Sequence, residues 1–399
     1  MKKKLVLSPK TFLWKEGDDI LFYGSHNQNY IKITNAPQDV KALCSALQSN
    51  QLYYAIIDMD SLSNSLEKII EQIEEKSLGR LVDEHHNLIS IKPVLSIQDN
   101  IELIRRDKSF NYRLLDYLHS LEFYIGGKCS RKCYGEQIVF PINSNEKLTA
   151  HDLEIFLAKC SASALSKVDI IISDYDISFV DSLANVFDGW REVITVHSVF
   201  ENKTCYFKLL KKIGSQGVKQ RIIVDAGNVS NVVEFCNNLI AYDIPLLVVD
   251  FIVKTEGEVI SVKQAETILE GVGVNINVTP VYFNNEEFIA RNIQLTEREI
   301  LESKLTKRAI YIHQSININN WGKLSIRPDN SVSVDPFSRE IGKTSDSIYE
   351  IILAALSEDM WLKTRSSCEC RNCLYRWLCP SPTRIENVVP NHKICNFKP

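Results

Sequence analysis

Along the first ninety residues, apolar positions repeat with two different periods, and each predicts a different element. Phe12-Leu13-Trp14, Ile20-Leu21-Phe22-Tyr23 and Tyr30-Ile31-Lys32-Ile33 are short apolar runs parted by Gly17-Asp18 and by Ser25 to Asn29. They predict three strands joined by turns. Val40, Leu43, Cys44 and Leu47 then recur at helical spacing behind Pro37, which suits a first helical turn. Tyr53 to Ile57 is another extended run. Ser61 opens a second predicted helix, with Leu62, Leu66, Ile69, Ile70 and Ile73 on one face and Glu67, Lys68, Glu71 and Glu74 on the other. Such a stripe packs on a core and leaves the charged face to water.

From Leu121 the rhythm changes. β-branched runs recur at Leu121–Ile125, Val168–Ile172, Val193–Val196, Arg221–Val224, Pro245–Asp250 and Val274–Val278. Helical patterns lie between them at His151–Lys159, Ile177–Val186, Val229–Tyr242 and Val262–Leu269. Continuous apolar strands alternating with helices predict an α/β fold, a partial parallel (β/α)6 TIM-like barrel whose strands are buried on both faces. Working groups in such folds stand at the C-terminal ends of the strands. The last ninety residues leave this rhythm. Lys323–Arg327 and Ser331–Val334 flank Pro328-Asp329-Asn330 as a hairpin, and a helix is predicted at Ser347–Leu356.

Composition narrows the partners. The 399 residues are 45% apolar and 24% charged, ordinary for a globular chain of two or three domains. A net charge of −4 gives no global basic field, so no nucleic-acid partner is expected. No run approaches the roughly 20 apolar residues of a membrane span. Met1 to Leu13 has no apolar h-region, so a cytoplasmic, membrane-free protein is expected.

The cysteines change the picture further. Six are scattered from Cys44 to Cys236, and five fall in the last 32 positions. The run Cys370-x2-Cys373-x5-Cys379 is followed sixteen positions on by Cys395, and Cys368 lies outside the pattern as a bystander. A CxxC pair brings two thiolates to one centre from a tight turn, and two further cysteines complete a four-thiolate shell. Zinc and a [4Fe–4S] cluster both accept four thiolates, so the spacing predicts a metal without choosing between them.

The C-terminal segment, with the hairpin and helix before it, resembles the SPASM domain that ends many radical SAM peptide maturases. Cys373-Leu374-Tyr375-Arg376-Trp377-Leu378-Cys379-Pro380-Ser381-Pro382 is most similar to a Bacteroidales-type subfamily called pseudo-radical-SAM. Residues 1–90 resemble the winged-helix-like, PqqD-like domain that holds a precursor's leader. The resemblance implies three domains: leader recognition over 1–90, a degenerate radical SAM partial barrel over 115–300, and a SPASM-like metal-binding domain over 301–399. It also favours one [4Fe–4S] cluster on Cys370, Cys373, Cys379 and Cys395, with zinc as the alternative.

The departures from that family are specific. Its CxxxCxxC motif corresponds to Cys129, Cys133 and Glu136 here, and a hard carboxylate is a poorer partner than thiolate for a sulfide-rich cluster. Its Gly-Gly-Glu-Pro motif corresponds to Ser173-Asp174-Tyr175-Asp176. The ligands of a second auxiliary cluster are absent, two of their positions falling at about Asp335 and at Thr383. No S-adenosylmethionine is therefore expected. The resemblance implies a non-catalytic accessory protein of ribosomal peptide natural product (RiPP) biosynthesis, partnered with a precursor leader and a separate radical SAM maturase. Tyr30, Ile31, Lys32, Ile33, Leu62, Leu66 and Ile69 are the candidate peptide-binding residues, because a sheet edge beside a helix accepts an added strand. An active enzyme with an atypical cluster and an iron–sulfur electron carrier are the rival readings.

Overall fold

The computed structural model describes residues 1–96, 113–128, 134–173, 177–200, 204–231, 233–234, 247–271, 274–357, 359–365, 369–389 and 395–397. Within them the N-terminal unit is built on two three-stranded antiparallel sheets. One has the order β5(Tyr54–Asp58)-β1(Lys2–Leu7)-β6(Gly79–Asp83), the other β2(Thr11–Glu16)-β3(Asp19–Gly24)-β4(Tyr30–Ile33). Helices α1(Gln38–Ser49) and α2(Asn64–Glu75) bury Val40, Leu43, Leu47, Ile69, Ile70 and Ile73 in a core shared with Leu5, Leu13, Phe22 and Tyr53. The three expected strands, the helix after Pro37 and the strand near Ile57 all form. β1 and β6 were not foreseen, since Lys2-Lys3-Lys4 masks the apolar end of β1. Ser61 ends a 3₁₀ turn, and the cap of α2 is Ser63, whose hydroxyl accepts from Leu66 N.

A nine-stranded sheet follows, ordered β14(Asn275–Pro280)-β13(Leu247–Val253)-β12(Lys219–Asp225)-β11(Ile194–Val199)-β10(Lys167–Ile171)-β7(Ser120–Tyr124)-β15(Lys323–Ile326)-β16(Ser331–Ser333)-β17(Glu340–Lys343). β7 and β10 to β14 are parallel and lie in chain order, as successive β/α units produce. The sheet is a row with two ends, and β15 joins β7 in parallel before the hairpin turns back. A two-residue β8(Gly126–Gly127) pairs with β9(Ser144–Lys147). Gly126, at φ +85°, lies so close to Glu146 O and Pro328 that a Cβ would clash with both.

Helices α3(Ala150–Lys159), α4(Ile177–Ser182), α5(Ala184–Trp190), α6(Thr204–Ser215) and α7(Glu256–Glu270) connect the strands. Capping boxes at Thr149/Asp152 and Thr255/Glu258 start α3 and α7. The single helix expected over Ile177–Val186 is two, broken at Leu183, and the one expected over Val229–Tyr242 falls largely outside the described residues. α8(Glu286–Asn292), α9(Glu297–Leu301) and α10(Lys307–Ser315) lead to the hairpin. α11(Ile348–Ser357), α12(Asp359–Leu362) and α13(Ile385–Val388) belong to the tail.

One face of the sheet is apolar, with Leu121, Phe123, Val168, Ile170, Val196, Ile222 and Phe251 in the main core. Strand alternation sends their neighbours to the other face. There Glu122, Asp169, His197 and Asp250 are all buried, so this part of the sheet is covered on both faces as expected, but the second face carries charged side chains. They are paired. His197 Nε2 meets Asp169 Oδ1 at 2.9 Å, and Lys167 Nζ meets Asp169 Oδ2 at 2.6 Å. Arg221 pairs with Asp250, which also accepts from Thr279 Oγ1 at 2.7 Å.

The densest network surrounds Glu122. Its Oε2 accepts from Arg384 Nη2 at 2.7 Å, Tyr124 OH at 3.0 Å and Ser325 Oγ at 3.1 Å. Lys323 Nζ lies 3.5 Å from Oε1, and Arg384 Nε reaches Asp335 Oδ2 at 2.6 Å. Burial alone would raise the Glu122 pKa, but the Arg384 and Lys323 charges outweigh it and hold the carboxyl far below the usual range. Burial also pushes the Lys323 ammonium down, with Glu122 opposing it.

A carboxyl whose folded pKa is depressed contributes stability that is present above its unfolded value, about 4.3, and is lost as pH falls toward the folded value. Glu122→Gln should cost about 3–5 kcal/mol at neutral pH, since it leaves buried cations underpaired. It should also flatten the acid limb. Denaturant midpoints taken between about pH 6 and pH 3 should fall more steeply in the wild type than in the variant. Parallel curves would contradict the assignment.

Candidate metal centre and peptide-binding edge

The tail after α12 is held by turns rather than long elements. Cys370 lies in a 3₁₀ turn, Glu369–Asn372. Cys373 N donates to Cys370 O at 2.9 Å, and Cys379 N donates to Tyr375 O at 2.9 Å. Cys395 returns to the same region. Phe397 beside it packs on Tyr375 with ring centroids 4.9 Å apart, and Asn396 Nδ2 donates to Gln294 O at 3.2 Å. All four cysteines are half-buried.

Burial raises the Cys379 thiol to about 11, against the pull of Arg365, and the charges of Cys373 and Cys395 add to the rise. Burial also raises Cys373, and Cys395 again contributes. Among the described residues, however, no three His, Cys, Asp or Glu side chains are gathered closely enough to hold a single metal ion. Four thiolates around one zinc stand about 4 Å apart, given Zn–S bonds of about 2.3 Å, whereas those around a cluster are spaced by the irons between them. In its chemistry a set of four cysteines suits either zinc or a cluster.

Sequence reasoning passed over Arg365. Its side chain is only 5% exposed. Nε donates to Pro380 O at 2.8 Å, Nη2 to Glu386 Oε1 at 3.0 Å, and Nη1 to Cys370 Sγ at 3.6 Å as well as to Glu386 Oε2. Glu386 in turn accepts from Thr383 N at 3.2 Å. An arginine just before a CxxC run was the available signal. Thr383 and Asp335, two of the positions where the resemblance finds no cysteine, contact the ion-pair residues Glu386 and Arg384.

Cys129, Cys133 and Asp174 to Asp176 lie outside the described residues. Glu136 is exposed in a turn, and Ser173 Oγ donates to Ile142 O at 3.3 Å. On either side of Glu136, Tyr134 and Phe140 are buried against Val199, Ile223 and Ile252, near the C-terminal ends of β11, β12 and β13, and against Val281. Gln137 fixes this segment by donating to Tyr282 O at 3.0 Å and accepting from Tyr282 N at 2.6 Å. A cleft of about 640 Å³ lies beyond the end of β13, lined by Lys254, Asn285, Phe288 and Arg291. Its cations are matched, Lys254 to Asp225 and Arg291 to Glu256.

The second N-terminal sheet lies between two cores. Leu13, Ile20, Phe22 and Ile31 face α1 and α2, while Phe12, Trp14, Leu21 and Tyr23 pack on Ile300, Ile310, Leu374, Tyr375, Trp377 and Leu378. The residues between Cys373 and Cys379 therefore abut this sheet. Polar contacts frame the interface. Lys32 Nζ and Tyr375 OH both reach Glu297 Oε1 at 2.7 Å, Arg376 pairs with Glu16 at 3.1 Å, and Leu305 N donates to Tyr23 OH at 2.9 Å.

The candidate peptide residues divide. Ile31 and Ile69 are core, and Ile33, Leu62 and Leu66 are half-buried against it. Tyr30 packs on the tail side, with its carbonyl taken by Lys76 Nζ at 2.7 Å. β4 is an end strand. Gly24 N donates to Asn29 O at 2.8 Å, so alternation turns the backbone groups of Tyr30 and Lys32 outward.

No family model matches this chain. No curated protein matches it either. Among solved structures, Streptococcus suis SuiB bound to S-adenosylmethionine is similar at 13% identity and TM-score 0.39, over 95% of this chain and 94% of that one. SuiB bound to the precursor peptide SuiA is similar at 13% identity and TM-score 0.40, over 94% of each. A probable 2-pyrone-4,6-dicarboxylic acid hydrolase from Acinetobacter baumannii gives 9% identity and TM-score 0.16, over 40% of this chain.

Trp14 is the deepest test of the docked interface. Its side chain is 5% exposed, stacks on Phe12 at 5.2 Å and donates from Nε1 to Leu95 O at 3.3 Å. Trp14→Ala should cost roughly 3–5 kcal/mol and raise amide exchange in β2–β4 and α9–α10 together. Faster exchange in β2–β4 alone would mean the two sides are not coupled.

Proposed function

We propose that this chain is a peptide-binding accessory protein of a ribosomal peptide maturation system, with one [4Fe–4S] cluster in its tail. A precursor leader adds as a strand to β4. The observation that carries this reading is the end strand itself, with the backbone of Lys32 turned outward and the neighbouring Tyr30 carbonyl held by the Lys76 ammonium, which an added strand would displace. Backbone pairing supplies affinity there, and side-chain pockets supply choice.

The parallel sheet serves as scaffold in this reading, and a separate radical SAM maturase supplies the chemistry. Two features support a non-catalytic role. A carboxylate, Glu136, stands where the resemblance calls for a thiolate, and Tyr134 and Phe140 fill the region near the C-terminal strand ends with apolar side chains. Cys370, Cys373, Cys379 and Cys395 would hold the cluster, which supplies an electron store and a cross-link for a tail with little regular structure.

Titrating the full chain with a synthetic leader of a precursor encoded beside this gene tests the recognition role. Binding should be lost when a single strand-pairing amide of the leader is N-methylated, and should change little with salt. No binding at accessible concentrations would end this reading.

Cys373→Ser tests the metal site. After anaerobic reconstitution the wild type should hold iron and sulfide in equal number, while the variant should lose most of both and its tail should become protease-sensitive. A variant with an undiminished iron count would remove Cys373 from the ligand set.

A further inference from the structure

Arg365 stands out among the groups that the fold and the proposed function leave unused. Its guanidinium is buried, yet it lies beside the thiols rather than in the sheet network. It touches three separate parts of the tail: the Cys370 sulfur, the carbonyl that follows Cys379, and Glu386 in α13. Glu386 is itself only 3% exposed, so the pair is a fixed dipole shielded from water. A buried charge acts on its neighbours far more strongly than an exposed one.

We propose that Arg365 is the electrostatic positioning residue of the thiolate site, holding Cys370 by an N–H···S contact and making the bound centre easier to reduce, with Glu386 as its counterweight. The inference rests on the cluster reading given under the proposed function. Its sign follows from charge alone. Reduction adds one electron, delivered by the titrant and kept on the cluster, so the reduced centre is the more negative. A cation beside the ligands favours that state and an anion opposes it. Hydrogen bonds to ligand sulfur and burial are the means by which a protein sets such potentials.

The test is an anaerobic redox titration of the reconstituted full chain, followed by visible absorption and electron paramagnetic resonance, with iron and sulfide counted in every sample. Arg365→Met should lower the midpoint by an amount equal to roughly a ten-fold change in the oxidised-to-reduced ratio, about 59 mV for one electron. Glu386→Gln should raise it, and Arg365→Lys, which keeps the charge but loses the fork, should lie close to the wild type. If Arg365→Met does not retain iron, the Lys and Gln variants carry the test. A Glu386→Gln midpoint and spectrum identical to the wild type, or an Arg365→Met midpoint unmoved at equal iron content, overturns the proposal while leaving the cluster in place. Absence of iron from the wild type overturns the cluster reading and this proposal together, and the metal count separates that result from a failed electrostatic role.

Discussion

Arg384 buried between Glu122 and Asp335 is the constraint on which the C-terminal half depends. Glu122 belongs to β7, Asp335 follows β16, and Arg384 lies in the tail just before α13. Three segments distant in sequence therefore meet at one guanidinium. A buried ion pair of this kind is a modest source of net stability, because desolvation offsets much of the attraction. Its effect is on geometry: alternative placements of the tail would leave a charge buried without a partner. The planar fork of arginine suits it to bridging two carboxylates at once.

A second guanidinium repeats the principle nearer the thiols. Arg365 and Glu386 link the segment after α12, the turn after Cys379, and α13, within a tail whose described helices are short. Arg384 and Glu386 are two residues apart, so one turn of chain ties the tail both to the sheet and to the cysteine region. The tail thereby presents Leu374 to Leu378 as an apolar surface, on which the sheet of β2, β3 and β4 docks.

That docking gives the N-terminal sheet two different faces. One belongs to its own helices, the other to the tail, and only its edges remain. The same packing buries Ile31 and Ile69 and leaves β4 as an end strand of its sheet. Lys32 carries both aspects, its backbone outward and its ammonium on Glu297 beside Tyr375.

Local patterning determined much of this protein. The apolar runs from Phe12 to Ile33, the spacing from Val40 to Leu47, and the six β-branched runs after Leu121 each correspond to an element, because side-chain period is a property of the local chain. The clustering of Cys370, Cys373, Cys379 and Cys395 is likewise a property of the local chain, visible in the sequence itself. What only tertiary structure decided is pairing across distance. Lone charges such as Glu122, Asp169 and Asp250 look in sequence like interruptions of apolar strands, and alternation gathers them on one buried face. Arg365 and Arg384 resemble any solvated arginine until the fold brings Glu386, Asp335 and Glu122 to them. The reason is physical: hydrophobic period is written every two or four residues, whereas the partner of a buried charge can lie anywhere along the chain.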